Sequence, residues 1–171
     1  RTKKEPYAPK EFSNPEFVDK FRGIYIPYWE YSVAFDKDPS LTVTESYSSG
    51  EYDYKNEYKI KPELKKTNIV IPCDASSSFD DEISEEIAPF HKENEESFNP
   101  AYLAGFFADT ADVDKELYTD EAVERAQDHV LKDMVKGFQG SASVDIPNDT
   151  AKRAEILGSN CKEIKGSLYP V

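Results

Sequence analysis

The 171-residue chain has two cysteines, two histidines, one methionine and one tryptophan. Each scarcity excludes something. Cys73 and Cys161 stand far apart, as do His91 and His129, so no C-x-x-C or H-x-x-x-H spacing offers a zinc site. One cysteine pair cannot staple a chain of this size as the dense bridges of small secreted domains do, and two free, buried thiols are expected. No apolar run approaches the ~18 residues that span a bilayer. Positive charge is short too: 21 Lys and Arg against 34 Asp and Glu leave a net charge of −13. The densest basic stretch is only "KIKPELKK", at 59–66. Phosphate backbones and anionic lipid surfaces are held by clustered cations, so neither direct nucleic-acid binding nor membrane contact is expected. The opening "RTKKEPYAPKEF" starts mid-pattern and is no signal peptide. The chain therefore reads as a fragment of a larger, cytoplasmic protein.

Aromatic residues are what the chain has in quantity: 11 tyrosines and 10 phenylalanines beside the tryptophan. Disordered chains are poor in aromatics, so a folded domain with an aromatic core is expected over 15–171, preceded by an arm or linker at 1–14. "GIYIPYWEYSVAF" (23–35) alternates, with Tyr25, Trp29, Tyr31, Val33 and Phe35 on one side, as a half-buried strand does. Pro27 has no N–H for a ladder, which predicts an edge strand or a bulge there. "LTVTESYS" and "EYDYKNEYKI" alternate in opposite phase. A two-residue turn at Ser49-Gly50 would join their apolar faces, pairing Tyr47 with Tyr52 and Leu41 with Tyr58.

"TNIVIPCDAS" predicts a further strand, ended by Pro72. Phe79, Ile83, Ile87 and Phe90 are spaced for one helix face. Asn99-Pro100 predicts a helix start whose Tyr102, Leu103, Phe106 and Phe107 share a face. Thr119 is placed to cap the longest helix, with Val123, Ala126, Val130 and Met134 buried and Gly137 ending it. "FQGSASVDIP" and "CKEIKGSLYPV" read as two last strands. The predicted class is α+β: an antiparallel sheet with helices packed on one face.

No constellation in this pattern identifies a chemistry. Asp80, Asp81 and Glu82, or Asp112 and Asp114, could be imagined as a catalytic or metal pair. Carboxylates this abundant fall together by chance, and a solvated face is the expectation. "DVDKELYTDE" has Leu117 where a calcium loop needs glycine. His91 and His129 have no nucleophile partner in a recognisable motif, and no G-x-S-x-G, Walker A or G-x-G-x-x-G stretch occurs. Catalytic residues, metal ligands and cofactors are accordingly none. The binding candidates are aromatic: Trp29, Tyr52, Tyr54 and Tyr58 could stack a sugar or a peptide. Alternating rings on a strand more often pack into a core, and packing under the helices is expected even for the tyrosines.

"APKEF…FRGIYIPYWEY", "IPCDASSSFDDEISEEIAPF" and "FNPAYLAGFFADTADVD…ERAQ" resemble a bacterial family of zinc-ribbon-containing, uncharacterised proteins often labelled as primosomal helicases. The resemblance runs from about Tyr7 to Val171. It implies an N-terminal zinc ribbon of two CxxC pairs in the parent, so zinc is implied for that ribbon only, and apolar segments after this region that could attach the parent to a membrane. A helicase is not supported, since the chain has no phosphate-binding loop and its charge opposes DNA. The reading favoured by the sequence is a non-enzymatic interaction or scaffold domain that docks a protein partner. The alternative is a glycan- or peptide-binding or hydrolytic domain that uses the tyrosine face and a carboxylate pair.

Overall fold

A computed structural model describes residues 22–78, 83, 84, 88 and 95–171. The arm at 1–14 lies outside these residues, as do His91, Asp80, Asp81, Glu82 and most of the helix expected at 79–90. Within that helix Ile83 and Ser84 are helical, and the Ser84 carbonyl accepts from Ala88 N at 3.2 Å.

The chain is α+β and mostly strand. Strands β1 (Ile24–Phe35), β2 (Leu41–Ser49), β3 (Tyr52–Ile60) and β4 (Asn68–Asp74) come first. A 3-10 turn (Pro100–Leu103), β5 (Phe107–Ala108), α1 (Thr119–Met134), β6 (Ser141–Val144), α2 (Thr150–Leu157) and β7 (Ser159–Pro170) follow. They form two open sheets: β1 carries β4, β5 and β7, while β2 lies between β3 and β6. All pairings are antiparallel except the short β1–β5 contact.

Strand β1 is central and its register shift lies at Ser32/Val33, which corrects the edge or bulge expected at Pro27. Tyr28–Ala34 pair with β4 and Tyr25–Phe35 with β7. The carbonyls of Tyr25 and Pro27 point to the β4/β5 side, accepting from Asp109 N and Ala75 N. Pro27 has no N–H to return to Ala75, and the Ala75 carbonyl accepts instead from Asp112 N (3.0 Å) and Val113 N (3.1 Å). Pro72 does not end β4, which runs to Asp74; among the described residues β4 pairs with β1 alone, and an edge tolerates proline.

Both faces of β1 are buried. Tyr31, Val33 and Phe35 join Leu41, Ile71, Cys73, Ala122, Val123, Ala126, Val130 and Leu157 in the main core, beneath α1 and α2. On the opposite face Ile26 and Tyr28 pack with Tyr169. The Tyr28 and Tyr169 rings stack at 4.4 Å, and the buried Tyr28 hydroxyl donates to the Ser84 carbonyl at 2.8 Å. Cys73 and Cys161 are thiols, not joined in a disulfide. They sit on β4 and β7, to either side of β1, Cys73 opposite Trp29 and Cys161 opposite Val33; two ladder spacings across (about 10 Å) and four residues along the strand (about 13 Å) separate them, beyond the reach of a disulfide.

The local starts and stops differ in detail from those expected. Asn99 does cap, accepting from Ala101 N at 2.9 Å, but the segment is a four-residue 3-10 turn and Tyr102, Phe106 and Phe107 are exposed. Tyr118, not Thr119, holds the cap position of α1, and its carbonyl takes Ala122 N at 2.8 Å. Val123, Ala126 and Val130 are buried as expected. So is Gln127, whose amide donates to Ser159 Oγ (2.8 Å) and to the Thr150 carbonyl (3.1 Å), tying α1 to α2 and β7. Helix α2 was not anticipated; Asp149 caps it through Lys152 N.

Candidate functional site

The β2–β3 hairpin positions the candidate tyrosines. Its turn is Gly50-Glu51, not Ser49-Gly50: Ser49 faces Tyr52, Tyr47 faces Tyr54 and Leu41 faces Ile60. Alternation fixes which residues share a face but not where the chain turns, and the observed register is displaced by two residues with the faces unchanged. Gly50 decides it. With φ +64° it takes the first central position of the two-residue turn, where primed hairpin turns need a positive φ.

Only the base of this hairpin is covered. Leu41 and Val43 are buried, and Ile60 and Val144 pack against the main core. Helix α1 packs chiefly on β4, β7 and β1, and the distal half of the tyrosine face is left exposed. Tyr52 is 71% exposed, Tyr54 42% and Tyr58 41%. This overturns the expectation that these rings pack under helices. Tyr47 and Tyr54 stack at 5.1 Å with 12° between planes, and Phe138 leans on Tyr58 at 5.3 Å.

The centre of that face is a carboxylate. Glu45 is buried and accepts from Gln139 N (2.6 Å), Asn56 Nδ2 (3.1 Å) and the Tyr58 hydroxyl (3.1 Å). The Gln139 N–H, then the Asn56 amide, hold its pKa below the ordinary value, and the same carboxylate raises that of Tyr58. Glu45 thus pins the 138–139 loop to the hairpin. Its role was not legible locally, because the donor that matters most lies 94 positions away.

Trp29 is not part of this surface. It lies in the other sheet, half-buried, with Nε1 donating to the Val113 carbonyl at 2.9 Å. Its ring covers Gly166 on β7, where a Cβ would stand 3.1 Å from the indole. Trp29 does line a cleft of about 940 Å³ between the β1–β7 ribbon and the 95–103 segment, with Glu30, Glu95, Glu96 and Tyr102 among its walls. Each of those acids is engaged by another side chain. Glu30 accepts from Tyr169 (2.6 Å), Glu96 accepts from Tyr102 (2.6 Å), and Glu95 forms an ion pair with Lys165. Burial, then the Glu30 acceptor, raise the Tyr169 pKa. Phe98, Phe106 and Phe107 are exposed.

The remaining candidates are structural or superficial. Asp112 accepts from the N–H (2.7 Å) and hydroxyl (2.6 Å) of Ser77, and Asp109 accepts from the hydroxyls of Ser76 (2.6 Å) and Ser78 (2.9 Å). These serine bonds lower both carboxyl pKa values, and they latch the loop after β4 to the segment after β5. Asp114 closes a local turn on Glu116 N at 2.8 Å. His129 is exposed and pairs with Asp133 at 3.5 Å. Among the described residues no group of three metal-ligating side chains converges, and no helix is long and apolar enough to cross a membrane.

The chain is similar to an uncharacterised protein of Bacillus subtilis (strain 168), YdjG, with 26% identity over 153 residues. The match covers 84% of this chain and 43% of that protein, so the chain spans less than half the length of the relative. No protein-family profile matches the chain, and no solved structure does.

Proposed function

We propose that this chain is a non-enzymatic docking domain of a larger, zinc-ribbon-bearing cytoplasmic protein, and that it holds a protein partner on the distal face of the β2–β3 hairpin. One observation carries the reading. Tyr52 and Tyr54, the latter stacked on half-buried Tyr47, stand exposed on the hairpin, whereas Tyr28, Tyr31 and Phe35 of β1 are packed away. Tyrosine binds partners well because its ring offers apolar area at low conformational cost while its hydroxyl stays wet. The acids around Trp29 add support, since Glu30, Glu95 and Glu96 are each engaged by another side chain. The test is retention from extracts of the source cells by the wild-type chain and by Y52S/Y54S. A protein retained only by the wild type, and bound again when both components are purified, supports the reading; equal retention by the two chains overturns it.

A second reading, ligand binding beside Trp29, is favoured by the cleft itself, where the indole and Tyr102 stand near three carboxylates. Trp29 is the sole tryptophan, so its fluorescence reports directly on oligosaccharides or peptides entering the cleft. An unchanged spectrum across a panel of both ends this reading.

A further inference from the structure

Strand β3 pairs only with β2 among the described residues, leaving a nine-residue free edge from Tyr52 to Ile60. Natural edges are blunted by proline, bulges or charged side chains, lysine above all. This one has no proline and no bulge, and its charges, Lys55 and Lys59 among them, are of both signs. Its exposed face reads Glu51, Asp53, Lys55, then Glu57, Lys59, Lys61, and Asn56 is the centre of an inverted charge sequence. Turned end for end about Asn56, the strand sets every acid opposite a lysine: Glu51 against Lys61, Asp53 against Lys59, Lys55 against Glu57.

We propose that β3 pairs antiparallel with β3 of a second copy of this chain, on a two-fold axis through Asn56, joining the two three-stranded sheets into one of six strands. The inference uses the edge of β3 and is independent of what the tyrosine face binds.

The ladder phase agrees. Thr42 O accepts from Asp145 N on the β6 side, so even-numbered β2 residues bond toward β6 and odd-numbered ones toward β3. By the β2–β3 register, the even β3 residues bond back to β2, and the odd residues turn their N–H and C=O groups outward. Pairing about Asn56 brings odd residues opposite odd ones, so those free groups meet. On the other face Tyr54 comes opposite Tyr58 and Tyr52 opposite Ile60, in the non-hydrogen-bonded positions where side chains approach most closely. The register is discriminated by charge. Slid two residues one way, Lys55 faces itself and Asp53 faces Glu57; slid the other way, Glu57 faces itself and Lys55 faces Lys59. Like charges directly opposite are destabilising in a sheet. The six residues are also locally neutral, three acids and three lysines, within a chain of net charge −13, which removes the repulsion that any acidic patch would meet on its own copy.

The test is sedimentation equilibrium of the full chain from about ten micromolar to about one millimolar, the range expected of a small interface. The wild type is expected to move from its 19.4 kDa mass toward twice that value. Lys55→Glu sets a carboxylate opposite Glu57 of the second copy and is expected to leave a monomer. The swap K55E/E57K restores opposite charges in the same register and is expected to restore the dimer. Because the swap retains the first substitution, its recovery shows that the monomer was still folded. A second design needs no recovery: D53K/E57K and K55E/K59E are each expected to stay monomeric alone and to dimerise when mixed. A wild type that stays monomeric at one millimolar, a dimer indifferent to K55E, or a swap that remains monomeric each overturns the proposal.

Discussion

Two glycines with nearly equal backbone angles give a test of how the tyrosine face is held. Gly50 has φ +64° and Gly140 φ +62°. A Cβ at Gly50 would meet nothing within 4 Å, whereas one at Gly140 would overlap the Ser46 carbonyl oxygen and stand 2.8 Å from Tyr47 Cβ. Replacing either by alanine costs about 1 kcal/mol for a left-handed residue with a side chain. At Gly50 that is the whole effect. At Gly140 the overlap is with strand backbone, which cannot rotate aside, and an overpacked site adds about 1–3 kcal/mol. The 138–140 loop must lift, loosening Gln139 N from Glu45 and Phe138 from Tyr58. G140A is therefore expected to cost about 2–4 kcal/mol against about 1 for G50A. With a urea slope of about 2 kcal/mol per molar for a chain of this size, the midpoint falls by about 1–2 M for G140A and about 0.5 M for G50A. Equal midpoints for the two variants would refute the close approach and the pinning of the loop by Glu45.

Three further outcomes follow from the packing and the hydrogen bonds. Tyr28→Ala removes a fully buried ring and is expected to cost about 3–5 kcal/mol, whereas Tyr52→Ser at an exposed position stays within about 0.5 kcal/mol; urea titration of both compares core with platform. Gln127→Ala leaves a cavity and strips Ser159 Oγ and the Thr150 carbonyl of a donor, costing about 2–4 kcal/mol by the same measurement. Serine and backbone bonds depress the folded pKa of Asp109 and Asp112, and the Gln139 N–H does so for Glu45. Their stabilisation is fully present above the unfolded carboxyl pKa of about 4 and is lost as pH falls through the lower folded values. Stability is thus expected to hold from neutral pH down to about 5 and to drop below about 4, less steeply in D109N/D112N.

What the sequence made legible is the set of quantities that depend on neighbours two to four residues away. The opposite phases of 41–48 and 51–60 gave the shared face of the hairpin, and the 3.6-residue spacing of Val123, Ala126 and Val130 gave the buried side of α1. The turn at Gly50-Glu51 escaped because a shift of two preserves the face. The exposure of Tyr52, Tyr54 and Tyr58 escaped for a different reason: alternation says which rings lie together, while what covers them depends on where α1 crosses a sheet formed by residues up to a hundred positions away. Pro27 was misread because a central strand tolerates one missing N–H when the carbonyl opposite finds other donors, here Asp112 N and Val113 N on Ala75 O. Asp149 and Gly158 did flank α2 with cap and stop signals, over a segment too short to show a period.

The net charge of −13 and the alternating charges of β3 respond to salt in opposite senses, which makes ionic strength a probe of the dimer. At about 0.01 M the Debye length is roughly 30 Å, and two chains of like charge repel across their whole width. At about 0.15 M it is roughly 8 Å; that repulsion is largely screened, while the lysine–carboxylate contacts across the β3 edge are closer than this length. Near 1 M it shrinks to roughly 3 Å, and exposed pairs lose their attraction. Dimerisation is therefore expected to be weak at both extremes and strongest between them, with K55E/E57K following the same curve. Association that keeps strengthening up to 1 M would assign it to the apolar tyrosine rings and refute a register set by charge.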